Sequence, residues 1–254
     1  MPGPGKASYR VGLFLFSQHL NHPRWRMSQA TAASPFLLAT SLGKKYLMAL
    51  SGLFLVSFLP VHLAGNFLLF KNDGGAAFDA YSVFMSTSPI IRVLEVTLVL
   101  GFAVHIIDAL LLTLRNRSAR PVGYKGGKGG RSALFSTYMG VTGSIILIYL
   151  IIHINSFTLK HRIYEPDNLA FYHTVKSAFE TQWGGFYAWF YVAAMLLMGF
   201  HLNHGFSSAF QSLGLNHRKY TPLIKKIGLL YSIAIPVGFA SIPVFFQLRY
   251  LNLF

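Results

Sequence analysis

The sequence predicts an all-α membrane protein of five transmembrane helices with a cytoplasmic N-terminus. Three observations predict it. Only 11% of the 254 residues are charged and 53% are apolar, against about 25% charged in a soluble domain. Five apolar segments, at about 44–70, 89–115, 133–160, 183–212 and 223–250, each exceed the roughly 20 residues that cross about 30 Å of hydrocarbon. Lysine and arginine gather in alternate loops, the pattern of loops that stay in the cytoplasm.

The elements follow in order. Residues 1–43 form an N-terminal cytoplasmic or interfacial segment, and residues 44–254 form the membrane domain. VGLFLF (11–16) is too short to span, and no signal-cleavage pattern follows it. Nothing before Met27 is required by the membrane domain, which makes Met27 a second candidate start. Arg24, Arg26, Lys44 and Lys45, then RNRSARPVGYKGGKGGR (115–131), then HRKYTPLIKK (217–226) lie on one side. KNDGGAAFDAY (71–81), KHRIYEPDNLAFYHTVKSAFE (160–180) and the C-terminus lie on the other. The first set is basic and has no acid, so the N-terminus is placed inside and the C-terminus outside. Arg92, Arg162, Lys176 and Arg249 stand on the outer side and are outnumbered. The formal charge of +15 is read as this topology signal, not as a nucleic-acid surface. The glycines of YKGGKGG (124–130) lack the spacing of a phosphate loop. The absence of cysteine excludes disulfides, thiolate zinc, cysteine-held iron–sulfur clusters and covalently attached haem.

Imidazoles are costly in hydrocarbon and need partners. The first four spans hold His62, His105, His153 and the pair His201/His204. His62 and His153 lie about 18 and 20 residues along outward-running spans, and His105 and His204 about 16 and 21 residues along inward-running ones. At about 1.5 Å per residue, four histidines sort into two levels about 10–15 Å apart. Facing imidazoles without nearby cysteine suit low-spin haem iron, with His62 and His153 at an outer haem and His105 and His204 at an inner one. Filling both axial positions fits electron transfer. Gly65, Gly101 and Gly205 offer room for a macrocycle, and Pro60 is expected to kink the His62 helix. His201 shares a face with His204 and is expected to be a neighbour of a propionate or quinone, or a packing residue. His19, His22, His161, His173 and His217 fall in loops and are expected at the solvated surface.

Only Glu95 and Asp108 are carboxylates well inside spans, both on span two. Arg92 is the natural partner of Glu95 at i−3, and Lys44 or Arg115 that of Asp108. Asp108 could otherwise serve proton transfer at a quinone near the inner haem. Inner propionate or quinone neighbours are sought among Ser51, Lys44, Lys45, His201, Asp108, Arg131 and Tyr138, and outer ones among Lys160, His161 and Arg162.

GKKYLMALSGLFLVSFLPVHLAGN (43–66), VLGFAVHIIDALLLT (99–113), ILIYLIIHINSF (146–157) and GFHLNHGFSSAFQSLGLNH (199–217) together resemble the cytochrome b membrane anchor of succinate:quinone oxidoreductases, of the five-span type that holds two haems b. The likeness covers roughly residues 40–250, and its most specific part is HLNHGFSSAFQSLGLNH. It implies His62, His105, His153 and His204 as ligands, since in that family the fourth-span ligand precedes a glycine. It implies that the first four spans form a bundle around the haems, with the fifth outside. It also implies a flavoprotein subunit, an iron–sulfur subunit, and menaquinone or ubiquinone as electron acceptor. The complex would sit in the bacterial cytoplasmic membrane, serve the respiratory chain and tricarboxylic acid cycle, and form oligomers of whole complexes. This chain would be the non-catalytic subunit with respect to succinate. Family members that return protons through an acid on the fourth span differ here, where Leu202 and Asn203 stand beside His204; no such pathway is expected. The rival readings are a membrane cytochrome b of another respiratory oxidoreductase and a transporter using a histidine relay.

Overall fold

A computed structural model of the chain describes residues 40–118, 131–165, 170–180, 182 and 184–253. The expectations for residues 1–39, among them Arg24, Arg26, His19 and His22, and for the glycine-rich connector lie outside the described residues, as does the side chain of Arg131. Among the described residues the chain is helical and has no strand. Five helices are long and apolar enough to cross a membrane, over Leu42–Phe70, Pro89–Arg115, Tyr138–Tyr164, Gly185–Ser212 and Thr221–Tyr250. The chain is a multi-pass membrane protein.

Helix α1 runs over Ser41–Asn66, started by Thr40, whose hydroxyl accepts the Gly43 N–H at 2.9 Å. It contains Pro60, and a 3₁₀ turn extends it to Phe70. Proline lacks the N–H that would bond the carbonyl four residues earlier, here that of Val56. That carbonyl accepts instead from the Tyr231 hydroxyl. The helix therefore runs on through Pro60 with its freed acceptor satisfied.

The loop after span one holds a helix of its own, α2, Ala76–Thr87. Asp73 starts it by accepting from the backbone N–H groups of Gly75 and Ala77 at 3.0 and 3.1 Å. Span two is α3, Pro89–Ser118. Span three is α4, Arg131–His153, and it continues as a π-helical stretch over Ile154–Tyr164, beyond the end expected near residue 160. The loop that follows contains α5, Phe171–Phe179. The Tyr172 N–H donates to Asp79 Oδ1 at 2.6 Å and so ties α5 to α2. Spans four and five are α6, Gly184–Ser212, and α7, Thr221–Tyr250.

α1 packs against α3 and α6, and α4 packs against α6. The largest helix contact is between α6 and α7. The fifth span, expected to pack outside the first four, lies against α6 and α1. Its apolar window is the most buried of the five, and Ile235, Ile242 and Phe246 enter the core. Two buried clusters result. One gathers Leu69, Phe78, Tyr172, Val175, Phe179, Tyr191 and Phe246 where the two short helices meet the spans. The other gathers Leu63, Ala194, Met195, Met198, Leu202 and Ile235 between α1, α6 and α7. Helices α3 and α4 have nothing buried in their apolar windows, which leaves these faces to lipid.

Candidate functional site

His62 on α1 and His153 at the end of the α-helical part of α4 face one another, ring centres 6.0 Å apart and planes at 86°. Phe58 stacks on His62 at 5.1 Å, and Phe239 of α7 approaches it at 5.5 Å. Asn66, one turn on, donates its amide to the His62 carbonyl at 2.7 Å and lies beside both ring nitrogens. Tyr149 stacks on His153 at 5.7 Å, and Phe157 and Tyr191 close its remaining sides. The pair is therefore walled by aromatic rings from α1, α4, α6 and α7, an apolar wall that excludes water.

The second pair is His105 of α3 with His201 of α6, ring centres 6.5 Å apart at 75°. The ring facing His105 is thus that of His201, while His204 lies one turn farther along α6 and is half-buried. His105 rests on α1: Ser51 Oγ lies 3.3 Å from its Nδ1, and a Cβ on Gly52 would meet its Cε1 at 3.4 Å. The Ser51 hydroxyl donates to the Met48 carbonyl at 3.3 Å. With that hydrogen on Met48, the Ser51 oxygen is placed to accept an Nδ1–H, the tautomer in which Nε2 of His105 keeps its lone pair free. His201 fits against Gly143 of α4, whose added Cβ would lie 3.5 Å from the ring.

The other expected neighbours divide. Lys44 and Ser51 are buried, and so is Asp108, with Oδ2 unpartnered and Lys44 and Arg115 as its electrostatic neighbours. Lys45 and Tyr138 are exposed. Arg92 pairs with Glu95 at 3.2 Å, and Arg162 joins the same carboxylate at 2.6 Å. Lys160 pairs with Glu165. His161 is not at the solvated surface: it is buried and stacks on Phe171 at 4.0 Å, because the π-helical stretch turns it toward α5. His173 and His217 are exposed. Two of the three glycines assigned to a macrocycle take aromatic rings instead, Gly65 that of Tyr81 and Gly101 that of Phe54; only Gly205 is open.

Two imidazoles on opposite faces of one metal, each nitrogen about 2 Å from it, have ring centres about 6 Å apart. Both pairs have that spacing. His153 Nδ1 and His201 Nδ1 are buried without hydrogen-bond partners, a cost that a group bound to those nitrogens would remove. No group of three or more histidine or carboxylate side chains converges among the described residues; a haem iron takes only two. The donor set therefore fits haem. No family model, curated protein or solved structure matches the chain.

Proposed function

We propose that this chain is the membrane cytochrome b subunit of a succinate:quinone oxidoreductase, carrying electrons between an iron–sulfur partner and membrane quinone. The observation that carries the reading is two histidine pairs, drawn from four membrane helices, each at haem-ligand spacing. When bound, haem supplies one-electron redox chemistry at each pair. His62 and His153 would hold the outer haem in its aromatic enclosure. His105 of α3 would hold the inner one, its tautomer set by Ser51 of α1, and Lys44 lies on α1 toward the cytoplasmic end.

The partner of His105 has two readings. The resemblance names His204, the histidine before a glycine. The ring geometry favours His201, and we take His201 as the ligand, with His204 beside it. The proposed setting is the bacterial cytoplasmic membrane, N-terminus inside, with flavoprotein and iron–sulfur subunits on the basic face. Oligomers of whole complexes and use of menaquinone or ubiquinone belong to the same proposal.

A reduced-minus-oxidised spectrum with a pyridine haemochrome assay on the purified complex tests it. Two haems b per chain are expected. A colourless preparation overturns the reading and favours the histidine-relay transporter.

A further inference from the structure

The outer end of α3 carries a cleft that the histidine pairs do not use. It measures about 310 Å³ and is lined by Arg92, Glu95, Val96, Val99 and Leu100 of α3 and by Arg162 of the π-helical stretch. One Glu95 oxygen accepts from both guanidiniums, Arg162 Nη2 at 2.6 Å and Arg92 Nη1 at 3.2 Å. One carboxylate between two arginines leaves a positive charge in excess. Each guanidinium carries five N–H donors in a rigid fork, so most remain free after one bond to Glu95. That bond also fixes where the forks stand, which lowers the entropy cost of a second acceptor.

The lining is ordered along the helix. Arg92 and Glu95 sit near its outer start, and Val96, Val99 and Leu100 continue inward, so the cleft runs about 12 Å from charged to aliphatic. Those three aliphatic side chains are each 60% exposed, and the apolar window of α3 has nothing buried, so the cleft opens sideways onto hydrocarbon. Arg92 comes three residues after the start of the span at Pro89, about 4.5 Å along the axis, which is the headgroup level. A charged head followed by an apolar groove is the outline of an amphiphile.

We propose that this cleft binds an anionic phospholipid, its phosphate on the free donors of Arg92 and Arg162 and an acyl chain along Val96, Val99 and Leu100. Arginine forks match phosphate oxygens in pairs. The excess positive charge selects against a zwitterionic headgroup, whose own cation would face the arginines. Free phosphate shares the head chemistry but would leave the groove unused.

The test is native mass spectrometry of the delipidated complex, titrated with phosphatidylglycerol, phosphatidylcholine and inorganic phosphate. Phosphatidylglycerol is expected to be retained at least tenfold more strongly than either of the others. Arg92→Gln is expected to remove that preference while leaving the complex assembled, because the Arg162–Glu95 bond between the π-helical stretch and α3 stays. Equal retention of the two lipids, equal retention in Arg92→Gln, or equal binding of inorganic phosphate overturns the proposal.

Discussion

Ser51 and His105 meet across two membrane helices: Ser51 Oγ lies 3.3 Å from His105 Nδ1 and donates its hydroxyl hydrogen to the Met48 carbonyl, which leaves its oxygen to accept an Nδ1–H. The α1 backbone thus sets the tautomer of an α3 histidine. An acceptor on one ring nitrogen raises the basicity of the other, the usual outer support of a metal-bound imidazole. With Ser51→Ala the inner haem is expected to remain but to bind through a less basic nitrogen, which disfavours the ferric state. Its midpoint potential should rise, by up to about 59 mV for a tenfold shift in preference. The outer haem should keep its potential. Redox titration followed at the two haem bands checks this, and an unchanged inner potential would show that Ser51 does no more than pack.

His201→Ala and His204→Ala separate the two readings of the inner pair. His201→Ala is expected to yield one haem per chain and His204→Ala two, counted by haemochrome assay against protein. In both variants the signal of the outer haem should persist, since its rings come from α1 and α4. One haem in His204→Ala and two in His201→Ala would return the ligand to the histidine that precedes the glycine.

The five spans are legible from the sequence because hydrocarbon imposes one requirement, apolar length, that composition reports directly. The meeting of His62 and His153 is legible in the same way, since two spans of known direction fix two depths. The choice between His201 and His204 is not. Residues three apart lie on one helix face, and which of the two rings meets His105 depends on the rotation of α6, which its own sequence does not state. α7 itself carries no histidine, so nothing in its sequence announces Phe239 against His62. Arg92–Glu95 is legible as an i,i+3 pair, whereas Arg162 reaches the same carboxylate from a distance of 67 residues along the chain. His161 reads as loop because its neighbours are polar; the π-helical extension that buries it follows from tertiary packing on α5.

The Tyr231 hydroxyl bonds the carbonyl that Pro60 frees at Val56. Tyr231→Phe leaves that half-buried acceptor unpaired, which is expected to cost about 1 kcal/mol and to lower the melting temperature. Pro60→Ala restores the N–H that Val56 can accept from within α1. In that background Tyr231→Phe should cost measurably less, so the double-mutant cycle is non-additive. Thermal unfolding of the four proteins in one detergent reads this out, and additive losses would show that the two residues are not coupled through Val56.

Pro236 does to Ser232 what Pro60 does to Val56, and here the freed carbonyl meets a glycine. A Cβ on Gly199 would lie 2.9 Å from the Ser232 carbonyl oxygen and 3.5 Å from Pro236 Cγ. A backbone atom cannot yield as a side-chain end does, so Gly199→Ala must push α6 and α7 apart at this contact. Overpacking of this kind costs about 1–3 kcal/mol. Gly199 is also two residues from His201, on the helix that carries that ring toward His105. The expected outcome is a lowered melting temperature together with loss or broadening of the inner haem's low-spin signal, the outer signal being kept. A fall in stability with both haem signals intact would mean that the α6–α7 contact holds the fold but does not aim the histidine.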